Sequence, residues 1–124
     1  YDLIVINFAN GDMVGHTGNF EAAKRATEVV DECVGKVVDK VLELDGQLLV
    51  TADHGNSEQM IDYDTGEPKT AHTTFPVECL YISKNAEEVS MQKEGKLSDI
   101  ATTTLKLMNI EIPKDMTADV LIKD

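Results

Sequence analysis

Basic residues are scarce in this chain, and so are aromatics. Among 124 residues there are 11 Lys and Arg against 23 Asp and Glu, a formal net charge of −12. That field repels polyanions, which excludes DNA, RNA and anionic membrane surfaces as favoured partners. Aromatics make up 5% and Trp is absent, so no base-stacking platform for single-stranded nucleic acid is available. Long hydrophobic runs are missing too. Leu3-Ile4-Val5-Ile6 and Leu48-Leu49-Val50 are among the longest, and both are far too short to span a bilayer. Cysteine is limited to Cys33 and Cys79, neither in a C-x-x-C pair, and both read as reduced packing residues of a cytoplasmic protein. A phosphorylated metabolite would meet the same repulsion unless metal cations or a basic segment elsewhere supplied positive charge.

What is present suffices for a fold. Apolar residues make up 42%, enough for the core of one domain. The chain opens on Tyr1 and enters an apolar run at once, so it reads as a piece of a longer polypeptide. Residues 2–9 are near-continuously apolar and β-branched, the pattern of a strand buried on both faces. Residues 10–19 read as a glycine-rich loop. Residues 20–44 carry apolar side chains at helical spacing (Ala22, Ala23, Ala26, Val29, Val30, Cys33, Val34, Val37, Val38, Val41, Leu42), with Asn19 as N-cap and Gly46 as the stop. Residues 47–52 and 76–83 read as two further strands, with a hairpin around Asp64-Thr65-Gly66 between them. Ser98 or Asp99 is expected to cap a last helix whose inner face holds Ala101, Leu105 and Met108. The order β, α, β, hairpin, β, α implies part of an α/β sandwich with a mostly parallel sheet plus a small hairpin.

The chemistry-bearing residues lie near predicted strand ends, where ligands bind in open α/β sheets. Asp12 and His16 follow the first strand, Asp53 and His54 the second, and His72 precedes the third. Mixed carboxylate and imidazole donors suit divalent first-row metals. Five such groups exceed one tetrahedral site and suit two neighbouring ions, the arrangement that stabilises attacking and leaving oxygens in phosphoryl transfer. Each pair alone is a weak signal that a hydrogen-bonded turn also satisfies. Gly55, directly after Asp53-His54, is expected to permit a tight backbone turn. Thr17, Thr51, Thr73 and Thr74 read as orienting hydroxyls rather than nucleophiles, and Ser57 is not taken as a nucleophile either.

Three strings in order, Asn10-Gly11-Asp12-Met13-Val14-Gly15-His16-Thr17-Gly18, Thr51-Ala52-Asp53-His54-Gly55-Asn56 and Ala71-His72-Thr73-Thr74, resemble the cofactor-independent (2,3-bisphosphoglycerate-independent) phosphoglycerate mutases of the alkaline phosphatase superfamily. The resemblance runs along essentially the whole chain. It departs at Gly11 and Thr102, where the family usually has Pro, at Phe75, where Asn is usual, and at Ala118-Asp119 in place of Gly-Lys. None of these is a candidate ligand.

The resemblance implies that residues 1–124 are the carboxyl-terminal segment of the metal-binding domain of an alkaline-phosphatase-like three-layer sandwich, with the amino-terminal segment and a second domain outside the chain. It implies Asp12, His16 and His72 as ligands of one ion, and Asp53 and His54 as half of a second site. The implied cofactors are two divalent ions, Mn²⁺ first, with Zn²⁺, Co²⁺ or Mg²⁺ as alternatives, and no 2,3-bisphosphoglycerate. The implied reaction interconverts 3- and 2-phosphoglycerate through a phosphoserine in a monomeric, cytoplasmic parent. This segment, lacking the serine, would be inactive alone. Another phosphomutase or phosphatase of the superfamily, or a non-catalytic metal-binding module, are the competing readings.

Overall fold

The computed structural model describes residues 1–123. Its elements are α1 (Asn10–Gly15), α2 (Phe20–Glu43), β1 (Leu48–Thr51), β2 (Cys79–Ile82), β3 (Ser90–Met91), α3 (Ser98–Leu107) and β4 (Ile122–Lys123), with a 3₁₀ turn at Ala86–Glu88. They fall into two units, one of Tyr1–Lys40 with His54–Val77, the other of Val41–Asp53 with Glu78 onward. No described helix is long and apolar enough to cross a membrane.

The helical periodicity of residues 20–44 is realised position by position. Every apolar stripe residue from Ala22 to Leu42 is at least partly buried, while Glu21, Lys24, Arg25, Glu28, Asp31, Glu32, Lys36, Asp39 and Lys40 are exposed. Asn19 caps α2 as expected, its Oδ1 accepting from the Ala22 N–H at 3.0 Å. At the other end Asp45, with φ 59°, takes the left-handed conformation expected of Gly46. The N–H of Gly46 donates to Val41 O (2.8 Å) and that of Asp45 to Leu42 O (3.2 Å), a Schellman closure. Gly46 serves that closure by its lack of a side chain, since a Cβ there would meet Val41 Cγ1 at 2.7 Å.

In the first unit, residues 2–9 do not form the expected strand. A strand exists only with a hydrogen-bonded neighbour, and this run has none among the described residues. Leu3, Ile4, Val5 and Ile6 are all more than half exposed. Residues 10–15, expected as loop, close into the short helix α1, with Asp12 in its first turn, where a carboxylate suits the helix dipole. The hairpin forms as read. Ile61 pairs with Pro68, the Asp62 N–H donates to Glu67 O at 2.9 Å, and Asp62 Oδ1 accepts from the Asp64 and Thr65 N–H groups. Gly66 supplies the positive φ of 75° that the turn requires. Ala23 and Met60 are the buried apolar residues here.

In the second unit the predicted strands at 47–52 and 76–83 appear as β1 and β2. They pair antiparallel, Leu48 opposite Ile82 and Thr51 opposite Cys79. β3 and β4 are antiparallel too. Both described sheets are therefore two-stranded and antiparallel, where a mostly parallel sheet was expected. A continuous apolar run encodes burial on both faces and carries no information on strand direction.

The inner face of α3 follows expectation in part. Leu105 and Met108 are partly buried, but Ala101 is exposed, while Asp99, Thr102 and Thr103 are buried. The threonine hydroxyls make this possible by donating to the helix's own Asp99 carbonyl, at 3.0 Å from Thr102 and 2.6 Å from Thr103. Neither Ser98 nor Asp99 caps the helix by a side-chain bond. Asp99 instead ties chain segments together, accepting from the Lys96 N–H at 2.8 Å and the Asp119 N–H at 3.1 Å.

The bond from Lys96, with help from that of Asp119, outweighs burial and holds the Asp99 carboxyl below the usual carboxylate range. A depressed carboxyl contributes stability above its unfolded pKa, and that stability is lost as pH falls through the folded value. Asp99→Asn is therefore expected to lower the Tm near neutrality and to flatten the acid limb, read by thermal melts from about pH 7 to about pH 2. An acid limb as steep as the wild type's would contradict this role.

Candidate metal centre

α1 puts Asp12 and His16 four residues apart on one helical face, with His16 as the helix's C-cap. The loop after the hairpin brings His72 to the same place. Asp12 Oδ1 lies 3.2 Å from His16 Nε2 and 3.1 Å from His72 Nε2, and the two Nε2 atoms are 3.1 Å apart. The His54 ring stacks on that of His72, with centroids 3.7 Å apart and planes inclined at 21°. All three histidines thus meet in the first unit, His16 at the end of a short helix, His54 in the loop that follows β1 as expected, and His72 in the loop after the hairpin. Asp53 belongs to the second unit, where it follows β1 and is exposed.

The hydrogen bonds around the cluster orient its donor atoms. His16 Nδ1 faces the Thr70 carbonyl at 2.5 Å. A carbonyl only accepts, so Nδ1 presents a proton to it, and in that tautomer Nε2 turns a lone pair toward Asp12 and His72. Asp12 Oδ1 also accepts from Asn56 Nδ2 at 2.8 Å. That bond, reinforced by the nearby histidines, prevails over partial desolvation and keeps the Asp12 carboxyl below its ordinary range. An ionised carboxylate and an imidazole lone pair converge, which is the donor set a divalent cation takes. The spacing fits as well. With bonds of about 2.1 Å, neighbouring donors sit about 3.0 Å apart around an octahedral ion and about 3.4 Å around a tetrahedral one.

The loops are held by contacts that sequence reasoning did not assign. Glu58 Oε2 accepts from the Asn56 N–H at 2.7 Å, and Glu58 Oε1 accepts from the Thr73 hydroxyl. Desolvation pushes the Glu58 carboxyl up, but the hydrogen bonds together carry it below its usual range. Thr73 is thus an orienting hydroxyl, as expected. Ser57 donates to the Gly11 carbonyl at 2.9 Å, which ties its loop to α1. Asn56 lay inside a quoted string and could have been suspected. The Thr70 carbonyl has no sequence signal, because every residue carries one.

Two glycines make these approaches possible. A Cβ on Gly15 would collide with the Asn56 side chain, its Cγ at 2.9 Å, and meet Ser57 Oγ at 3.0 Å. A Cβ on Gly55 would collide with the Glu58 carboxylate and the Thr73 hydroxyl. Gly55 does not have the positive φ that a left-handed turn would require. It is needed for room rather than for conformational freedom, which corrects the expectation from sequence.

Gly15→Ala is expected to push Asn56 off Asp12, destabilising the fold by about 1–3 kcal/mol and weakening Co²⁺ binding about tenfold. Gly11→Ala is the control, because a Cβ there meets nothing within 4 Å. Denaturant melts and metal titration of both variants check this, and equal behaviour of the two would contradict it.

Comparison with known proteins gives the chain a family and a fold. Residues 1–112 match the metalloenzyme superfamily. The 2,3-bisphosphoglycerate-independent phosphoglycerate mutase of Clostridium botulinum (strain ATCC 19397 / Type A) is 63% identical over 99% of this chain, and that of Clostridium kluyveri is 60% identical over 99%. The chain spans 24% of the length of each. A crystal structure of Leishmania mexicana phosphoglycerate mutase, determined at low cobalt concentration, shares the α/β fold with a TM-score of 0.81 and 35% identity, over 95% of this chain and 24% of that one. With most of its length matched and its carboxylate and imidazoles gathered at one point, the chain belongs to the metalloenzyme superfamily.

Proposed function

We propose that Asp12, His16 and His72 hold one divalent ion, and that Asp53 and His54 supply part of a second site, in a 2,3-bisphosphoglycerate-independent phosphoglycerate mutase of which these residues form one segment. The observation that carries the reading is the set of three donor atoms, from Asp12, His16 and His72, lying within 3.2 Å of one another. High identity to named mutases over nearly the whole chain supports the reaction. The 24% coverage of those relatives supports the segment reading, and so does the exposed apolar run Leu3–Ile6, which suits a strand completed by neighbours from the rest of the protein. The completed sheet would be the mostly parallel one of a three-layer sandwich.

Bound at these sites, divalent ions would polarise a phosphoryl oxygen and lower the proton affinity of a hydroxyl nucleophile. The chain's own residues prepare for that. Thr70 fixes the His16 tautomer, and Asn56 keeps the Asp12 carboxylate ionised and aimed. His54 packs flat against His72 and limits its rotation. In a chain of net charge −12, the ions also supply the positive charge that a phosphate needs. The whole protein would move the phosphoryl group between the 3- and 2-hydroxyls of glycerate by way of a serine outside this segment. Mn²⁺ is the proposed metal, because imidazole is a poor ligand for Mg²⁺. The cytoplasm is the proposed location.

Replacing a direct ligand should cost more than the 10–100-fold typical of supporting residues. In the full-length protein, His16→Ala is therefore expected to lower 3- to 2-phosphoglycerate conversion by more than about a hundredfold and to remove bound Mn²⁺, while the 124-residue chain alone gives no turnover. A coupled assay and calorimetric Mn²⁺ titration check both. Undiminished conversion in His16→Ala, or turnover by the isolated chain, would refute the assignment. A parent that converts pentose phosphates and not phosphoglycerate would refute the mutase reading.

A further inference from the structure

The carboxylate of Glu58 joins the loops that carry His54 and His72. One oxygen takes the hydroxyl of Thr73, the residue after His72. The other takes the N–H of Asn56, two residues after His54. Asn56 in turn reaches Asp12 on α1. The backbone repeats the link, since the Thr73 N–H donates to Gly55 O at 2.9 Å and the two residues form a bridge. Gly55 lacks the Cβ that would occupy the space where the Glu58 carboxylate and Thr73 hydroxyl meet. Glu58 is not among the converging donor atoms of Asp12, His16 and His72. Both its oxygens are already engaged by other donors.

We propose that Glu58 is a positioning residue of the metal centre, a two-oxygen clamp that sets the His72 loop against the His54 loop and, through Asn56, against Asp12. This inference rests on the metal reading above. A carboxylate is the side chain that fits, because each oxygen accepts and neither donates. Glutamine offers one accepting oxygen, and its amide can meet the Thr73 hydroxyl only if that hydroxyl turns to accept, which replaces two charge-assisted bonds by weaker neutral ones. With the clamp broken, Thr73 beside His72 keeps its backbone bond to Gly55 but loses its side-chain anchor, and the donor triangle loosens while its residues stay in place.

The test uses the full-length protein and Co²⁺, whose visible absorption reports the geometry of its ligands. Glu58→Gln is expected to raise the Co²⁺ Kd about tenfold or more and to shift the absorption band. Thr73→Val should reproduce both effects and Thr73→Ser should restore wild-type behaviour. The double variant Glu58→Gln with Thr73→Val should bind no more weakly than the worse single variant, because one contact is removed twice. A wild-type Kd and spectrum in Glu58→Gln would overturn the clamp. If that variant does not fold, Thr73→Val decides, since wild-type binding there overturns the proposal equally. His16→Ala separates the two ideas. If it abolishes Co²⁺ uptake while Glu58→Gln and Thr73→Val remain normal, the metal reading stands and the clamp falls. If His16→Ala leaves uptake unchanged, the metal reading fails and the clamp with it.

Discussion

One carboxylate oxygen and two imidazole nitrogens lie within 3.2 Å of one another, and the surrounding structure is arranged to keep them there. The Thr70 carbonyl selects the His16 tautomer with its proton on Nδ1, in which Nε2 turns a lone pair to the cluster. Asn56 holds Asp12 ionised. Unless His72 is protonated on the facing nitrogen, three electron pairs confront one another. Even then a single proton serves two acceptors, Asp12 Oδ1 and His16 Nε2. A divalent cation bonded to all three removes the conflict. The nearest hydrogen-bonded neighbours of the cluster thus aim its three donor atoms at one point, which is what the proposed metal site requires.

Close approach is the second constraint. Asn56 reaches Asp12 only because Gly15 leaves room beside α1, and Glu58 reaches Thr73 only because Gly55 leaves room between them. The Asn56 Oδ1 atom is buried and has no hydrogen-bond partner among the described residues. An unmet acceptor costs about 1–3 kcal/mol, so stability alone would not favour an asparagine there. Its Nδ2 bond to Asp12 gives that residue a purpose. The same economy of side chains recurs in the second unit, where Gly46 closes α2 by having no Cβ and Asp45 takes the left-handed conformation.

Sequence patterning carried the reading far where the signal was periodic or local. The stripe of α2, the Asn19 cap and the Asp62–Glu67 hairpin could all be read from residue types at fixed offsets. So could the nomination of Asp12, His16, His54 and His72, though not the contacts among them. Reading failed where the outcome depends on partners in space. Leu3-Ile4-Val5-Ile6 has a strand's composition but no neighbour to pair with among the described residues, and the direction of β1 against β2 leaves no trace in either run. The most buried positions of α3 escaped because Thr102 and Thr103 satisfy their hydroxyls against the Asp99 carbonyl and against Asp119 and Leu121 of the tail, which lets polar residues serve as core. Glu58 escaped because an exposed glutamate four residues past His54 resembles any other surface charge until Thr73 is seen bonded to it.

The most direct test of the metal centre is anomalous X-ray scattering from crystals of the full-length protein grown with Co²⁺ and measured across the cobalt edge. The account predicts a peak bonded to a carboxylate oxygen of Asp12 and to Nε2 of both His16 and His72, at about 2.0–2.2 Å from each. A metal-loaded protein with no peak among these atoms, and with the His16 and His72 nitrogens still in hydrogen-bond contact, would contradict it.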